Sequence, residues 1–247
     1  MIRDSLYFTY NDESSEKYGI VNVSIDSGMQ SEPFASNREI QEIEIPGNEQ
    51  PYFQRVKRRS LEFTMQFAFE EKWDKTKIQE IKRWICQDYY KPLIFSEDPD
   101  RIYYAMVKDN STIVHNCLQQ GYVELHFRCK DPFAYSSANE TSALVAGTYS
   151  IYNDGDVSMF PEMWITTIGS GNVSIANVTT SKTTTFTGLA ALETVYVNNE
   201  KEDIVSDTTL PRYSAYNNVP LELPVGDNQI TITGDATVKF KYQFKYL

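Results

Sequence analysis

The 247-residue chain reads as a mainly β protein with one helix, divided into two domains. Three observations carry that reading. Only residues 74–90 (DKTKIQEIKRWICQDYY) place apolar side chains at helical spacing. The segments on either side alternate with period two. Ser and Thr rise from 14 in residues 1–133 to 26 in residues 134–247, where no helical periodicity is found and short strands recur between turns.

The helix comes from Ile78, Ile81, Trp84, Ile85 and Tyr89, whose i, i+3, i+4, i+7 pattern lines one face, while Lys77, Gln79, Glu80, Lys82, Arg83 and Gln87 line the other. Asp74 is the expected N-cap and Pro92 the expected stop. A lone helix in a β-rich chain buries its stripe on a sheet. The partner expected here is the strand 60–69, with Leu61, Phe63, Met65, Phe67 and Phe69 on one face.

Residues 6–10, 18–26 and 39–45 read as further N-terminal strands, with residues 27–38 as a polar loop or extended arm and Pro46-Gly47-Asn48-Glu49 as a turn. Residues 92–95 and 101–107 flank the hairpin loop Ser96-Glu97-Asp98-Pro99-Asp100, and residues 111–118 and 121–130 form a second pair. Residues 1–133 are therefore expected to make a β-sandwich or split-barrel-like domain with a single packed helix. Residues 134–247 are expected to make an antiparallel β-sandwich from strands near 148–152, 163–168, 172–178, 184–187, 193–197, 221–223, 229–233 and 236–246. In the last of these, Val238, Phe240, Tyr242, Phe244 and Tyr246 point inward.

A net charge of −11 and a pI near 4.7 argue against a basic surface for specific nucleic-acid binding. No stretch approaches the ~20 apolar residues of a membrane span, so no membrane insertion is expected, and the N-terminus lacks the apolar run of a signal peptide. Expression and folding in a cytoplasm follow. Three cysteines, Cys86, Cys117 and Cys129, are an odd and sparse set rather than a disulfide framework.

Candidate chemistry is thin. His115, Cys117, His126 and Cys129 give an H-x-C-x8-H-x2-C string, but on a strand His126 and Cys129 point to opposite faces and cannot converge on zinc. Two histidines, both in one small region, and no Gly-x-Ser-x-Gly elbow leave a Ser-His-Asp set few places to form. Glu70 and Glu71 read as solvated charge at the helix N-terminus. Arg55, Lys57, Arg58 and Arg59 form the only basic cluster and read as an edge guard or a subunit contact. No catalytic residue, cofactor or metal is expected.

The ordered features from the 61–69 strand to Asp131-Pro132-Phe133-Ala134-Tyr135 resemble the phage distal tail protein family. They include the helix with Trp84, Lys91-Pro92-Leu93-Ile94-Phe95, the acidic hairpin loop and Arg101-Ile102-Tyr103-Tyr104-Ala105. Tyr152-Asn153-Asp154-Gly155, Pro161-Glu162-Met163-Trp164-Ile165 and Leu223-Pro224-Val225-Gly226-Asp227-Asn228 resemble that family's C-terminal galectin-like sandwich. The resemblance implies a structural, non-enzymatic protein of the virion tail tip or baseplate, assembled in the host cytoplasm. It implies a homo-hexameric ring of N-terminal domains that joins the major tail tube protein to a tail-associated hub protein and passes DNA through its lumen. In some phages the C-terminal domain holds receptor-binding proteins. Two other readings stand beside it: a carbohydrate- or host-surface-binding module built on the sandwich, and a cell-wall hydrolase.

Overall fold

The computed structural model describes residues 5–23, 33–108, 111–115 and 121–247. The chain divides into two compact units, Met1–Tyr135 with Leu247, and Ser136–Tyr246.

In the first unit the strands are β1 (Phe8–Tyr10), β2 (Glu13–Ser14), β3 (Ile20–Val23), β4 (Arg38–Ile43), β5 (Tyr52–Arg58) and β6 (Glu62–Phe69). After the helix α1 (Lys75–Ile85) come β7 (Lys91–Phe95), β8 (Asp98–Val107), β9 (Thr112–His115), β10 (Gly121–Cys129) and β11 (Ala134–Tyr135). The main sheet runs β2-β1-β7-β8-β10-β6-β3 and curls as a half-barrel. One edge of β10 is shared: residues 121–124 pair with β9 and residues 127–129 with β8.

The alternation of β6 puts Phe63, Met65 and Phe67 into the core, and α1 lays Ile81, Trp84 and Ile85 on them. Asp74 caps the helix, its Oδ1 accepting from the Lys77 N–H at 2.7 Å. The helix stops at Ile85 rather than reaching residue 90. Cys86 leaves helical geometry at ψ 80°, and the Gln87 amide donates to the carbonyls of Arg83 and Trp84, closing the last turn. The chain needs residues 86–90 to reverse into β7, so Tyr89 stands exposed instead of extending the stripe. Ile78 is only half-buried.

Trp84 is the centre of this core. It stacks on Tyr18 and Phe8, with ring centroids 4.5 and 5.6 Å away, and Tyr10 meets it edge-on. Its indole N–H donates to the Tyr10 carbonyl at 2.7 Å. Burial pushes the Tyr10 hydroxyl up to about 12, and that hydroxyl donates to the Ala105 carbonyl. The expected strand 18–26 is shorter at its start: residues 15–18 form a 3-10 turn that carries Tyr18 to Trp84, and Gly19 takes φ 56° to reverse the chain into β3. Residues 24–26 of that expected strand, residues 27–32 of the expected arm 27–38 and residues 116–118 lie outside the described residues.

The second unit holds β12 (Asn139–Glu140), β13 (Gly147–Asn153), β14 (Glu162–Thr167), β15 (Gly171–Asn177), β16 (Lys182–Leu189), β17 (Thr194–Asn198), β18 (Asp203–Ser206), β19 (Gly226–Thr233) and β20 (Ala236–Tyr242). They form two antiparallel sheets, β12-β20-β14-β17-β18 and β13-β19-β15-β16, over one apolar core. Alternation places Met163, Ile165, Val195, Val197, Val238 and Phe240 inside.

Two expectations are corrected here. Residues 221–223 make one bridge, Met159 to Leu223, and not a strand. Asparagine amides take up the backbone groups that a ladder would otherwise satisfy: Asn177 donates to the Glu222 carbonyl, Asn153 to that of Leu223 and Asn228 to that of Pro224, while Asn199 accepts from the Leu221 N–H. The expected last strand is interrupted: β20 ends at Tyr242, Gln243 and Phe244 leave the ladder, and a separate two-residue strand, β21 (Lys245–Tyr246), follows with the alternation broken. Lys245 is buried and pairs with Glu200, while Tyr242 and Phe244 are half-buried.

Replacing Trp84 with Ala removes the stacked ring and leaves the Tyr10 carbonyl without its donor. A loss of about 3–5 kcal/mol in urea unfolding of the first unit is expected. Trp84→Phe, which keeps most of the packing and loses the hydrogen bond, is expected to cost less than the alanine change.

Candidate functional site

The strands β4 and β5 form a two-stranded hairpin hydrogen-bonded to no other strand among the described residues. Its turn is the expected Pro46-Gly47-Asn48-Glu49, with Gly47 at φ 87° and the Asn48 N–H donating to the Ile45 carbonyl. Such a ribbon is at best marginally stable in water by itself. Every residue of β5 is exposed.

The hairpin's two faces differ. Ile40 opposes Val56 and, past a bulge, Glu42 opposes Phe53, so Ile40, Val56 and Phe53 share one face. Their exposures are 63%, 41% and 62%, values unusual for side chains of this size grouped together. On the other face Glu39 opposes Lys57, Gln41 accepts from Arg55, and Ile43 opposes Tyr52. Arg59, just beyond β5, pairs with Glu39. The basic cluster therefore runs along this ribbon and is partly neutralised by the acidic residues of β4.

The zinc-like string does not assemble among the described residues. His115 lies exposed on β9, edge-on to Trp73, and His126 sits on the outer face of β10 beside Thr64 (2.9 Å) and Glu124 (3.7 Å). Cys129 points the other way into the core, where burial pushes its thiol up to about 12. Cys117 lies outside the described residues. Glu70 accepts from the Tyr7 hydroxyl and Glu71 is exposed. Beside α1, Phe67, Phe69, Trp73, Ile78 and Val123 line an open apolar cleft of about 560 Å³. No helix among the described residues is long and apolar enough to cross a membrane.

The sequence reading missed one strongly organised polar site. Glu193, 1% exposed, accepts from Arg212 through both carboxylate oxygens (2.6 and 2.5 Å), from Ser206 Oγ at 2.7 Å and from the Ala190 N–H at 2.8 Å. The Arg212 guanidinium, followed by the Ser206 and Ala190 hydrogen bonds, holds the Glu193 carboxyl at about 2 against an ordinary 4.5. Arg212, 19 residues away, shares no local pattern with Glu193 that could have announced the pair. Its effect is to fasten the segment after β18 onto the turn before β17.

The first unit is thus a half-barrel with one helix and an unpaired hairpin, and the second is a β-sandwich. Residues 3–131 match the family described as phage tail protein N-terminal domain, and residues 133–242 match the one described as phage tail C-terminal domain. The chain belongs to this family of phage tail proteins. It is 33% identical over 257 residues to the SPbeta prophage-derived uncharacterized protein YomH of Bacillus subtilis (strain 168), covering 100% of both chains. Its fold is similar to that of the SPP1 Dit (gp 19.1) protein, described as a paradigm of the hub adsorption apparatus in Gram-positive-infecting phages. That likeness has a TM-score of 0.72 at 15% identity and covers 98% of this chain and 99% of that one. A chain of the phage P2 baseplate in its activated conformation with Ca is similar over 95% of this chain and 97% of its own, with a TM-score of 0.50 at 9% identity.

Removing the Arg212 guanidinium leaves a buried carboxylate uncompensated. Arg212→Ala is expected to destabilise the second unit by about 3–5 kcal/mol in chemical unfolding. Because the folded-state value of Glu193 lies below its ordinary one, its contribution is complete above about pH 5 and is lost as pH falls toward 2. Glu193→Gln is expected to flatten that part of the acid-unfolding curve.

Proposed function

We propose that the chain is a distal tail protein that assembles as a homo-hexameric ring between the tail tube and the tail-tip hub of the virion. The observation that carries the reading is the β4–β5 hairpin. It presents Ile40, Val56 and Phe53 on one face and, at each edge, a ladder that no other described strand pairs, and both features are stabilised when a neighbouring copy covers them. Family membership and the Dit-like fold support the same reading.

In this arrangement the ring contacts the major tail tube protein on one side and a tail-associated hub protein on the other, and the second unit offers a surface for receptor-binding proteins. The protein is structural rather than catalytic. DNA leaves through the lumen, and a net charge of −11 favours a channel wall that repels phosphates and lets the duplex slide. Assembly takes place in the host cytoplasm before incorporation into the tail tip.

Six-fold rings in negative-stain images, with a matching mass from light scattering, are the expected result for the purified chain. A stable monomer at high concentration, or a ring whose lumen is lined by basic residues, would contradict the proposal. Phe53→Asp combined with Val56→Asp is expected to abolish rings. Because both positions are exposed in the single chain, its own stability should change by only about 0.5 kcal/mol.

A further inference from the structure

The outer face of the sheet β12-β20-β14-β17-β18 is ordered in rows by its strand register. One row reads Lys239, Trp164, Tyr196, Val205, each residue directly opposite the next. The row on one side reads Lys241, Glu162, Asn198, Asp203, and the row on the other begins Thr237, Thr166, Thr194. An aromatic pair thus lies between a row of charged and amide groups and a row of hydroxyls.

The pair is half-buried, with ring centroids 5.1 Å apart and planes tilted by 48°. The tilt makes a shallow angled cradle instead of a flat plate. The Trp164 indole N–H meets no protein acceptor among the described residues and remains available as a donor. The polar groups around the rings are held in place: Lys239 pairs with Glu140 at 2.6 Å, the Thr166 and Thr194 hydroxyls meet at 3.3 Å, and the Asn198 side-chain Oδ1 accepts from the Lys201 N–H at 3.0 Å. The other sheet offers no equivalent. Its outer face is built from Thr148, Ser150, Gln229, Thr231, Ser174 and Thr185, with Tyr152 its exposed aromatic at one end.

We infer that Trp164 and Tyr196 form a binding site for a neutral pyranose oligosaccharide of β-gluco configuration, with the flanking rows contacting the sugar hydroxyls. A pyranose ring with equatorial hydroxyls presents a face of axial C–H bonds. Their partial positive charge suits the negative face of an aromatic ring, as the ring quadrupole favours any polarised hydrogen above it. The hydroxyls then project sideways from the sugar, toward the rows that hold Glu162, Asn198, Lys241 and the threonines. These rows mix donors, acceptors and both charges, which fits a many-hydroxyl neutral ligand better than an anion or a cation. Concentrating the aromatic surface in one row and the polar groups around it is the usual composition of a small-ligand site. A cross-strand aromatic pair also stabilises its sheet, so the test separates binding from folding.

The full chain is titrated calorimetrically with chitohexaose and cellohexaose, and with an α-mannan hexasaccharide whose axial hydroxyl interrupts the C–H face. Binding of at least one β-gluco hexasaccharide and none of the mannan oligomer is expected. Trp164→Ala is expected to weaken binding at least tenfold and Tyr196→Ala several-fold, while Tyr152→Ala leaves it unchanged. Thermal melts accompany each variant; if Trp164→Ala fails to fold, Trp164→Phe and Lys239→Ala carry the comparison. No heat of binding with either β-gluco hexasaccharide at millimolar concentration overturns the proposal, as does a folded Trp164 variant that binds like the parent. Loss of tail-protein assembly in these variants without any sugar binding would identify the face as a protein interface and overturn it equally.

Discussion

The hydrogen bond from the Trp84 indole to the Tyr10 carbonyl, with the ring clasped between Tyr18 and Phe8, is the constraint on which the first unit rests. It joins residues 74 positions apart and fixes three things at once. The helix is held on the sheet, and the N-terminal strand is held beside β7. The 3-10 turn that carries Tyr18 is held in line with β3, where Ile20 opposes Phe69 of β6. A buried N–H demands an acceptor, and the carbonyl of a short strand that pairs at both edges has little freedom to move away. Packing alone would tolerate a sliding helix, whereas packing and a directed hydrogen bond together do not.

Against that closed core the hairpin of β4 and β5 looks unfinished. The same chain that buries Phe63, Phe67, Phe95 and Phe127 leaves Phe53, Ile40 and Val56 exposed on a ribbon with no third strand among the described residues. A surface with this composition is costly for an isolated chain and useful for one that lives in an assembly. The charges along the ribbon, Glu39 with Lys57 and Arg59, can direct a neighbour's approach without adding much affinity. Family membership among phage tail proteins gives that surface a natural setting.

The second unit solves a different problem. Its core is apolar, but the chain between β18 and β19 forms no strand of its own and joins β16 by the single bridge of Tyr216 to Phe186. Buried polar side chains stand in for the missing ladder: Asn153, Asn177, Asn199 and Asn228 satisfy the backbone of residues 221–224, and Glu193 with Arg212 anchors the segment after β18. Because the interior groups are satisfied this way, the outer faces of the two sheets are free to differ. One is a field of hydroxyls and the other carries the Trp164–Tyr196 row.

Much of this was legible in the residues. Alternation predicted β6, β10 and the inward Val238 and Phe240 of β20, since a period of two is imposed locally by the pleat. The helix was legible from Ile81, Trp84 and Ile85, and its cap from Asp74. The zinc-like string was set aside on strand geometry, and His126 and Cys129 do lie on opposite faces. What failed were ends and reversals. Tyr89 keeps the helical spacing and so extends the expected helix to residue 90, yet the reversal into β7 consumes residues 86–90. The alternation that extends the expected final strand to Tyr246 breaks after Tyr242, and in the short strand that follows it is Lys245 that is buried.

By itself, then, the sequence determined a β-rich chain with one helix and the face that each regular segment buries, because those depend on neighbours two to four residues away. Only the tertiary structure decided that Trp84 meets Tyr10, that Glu193 meets Arg212, that the basic cluster lies on an unpaired ribbon, and that Trp164 and Tyr196 stand side by side. Each of these joins residues on different elements, and strand register, which no local pattern encodes, determines which side chains meet.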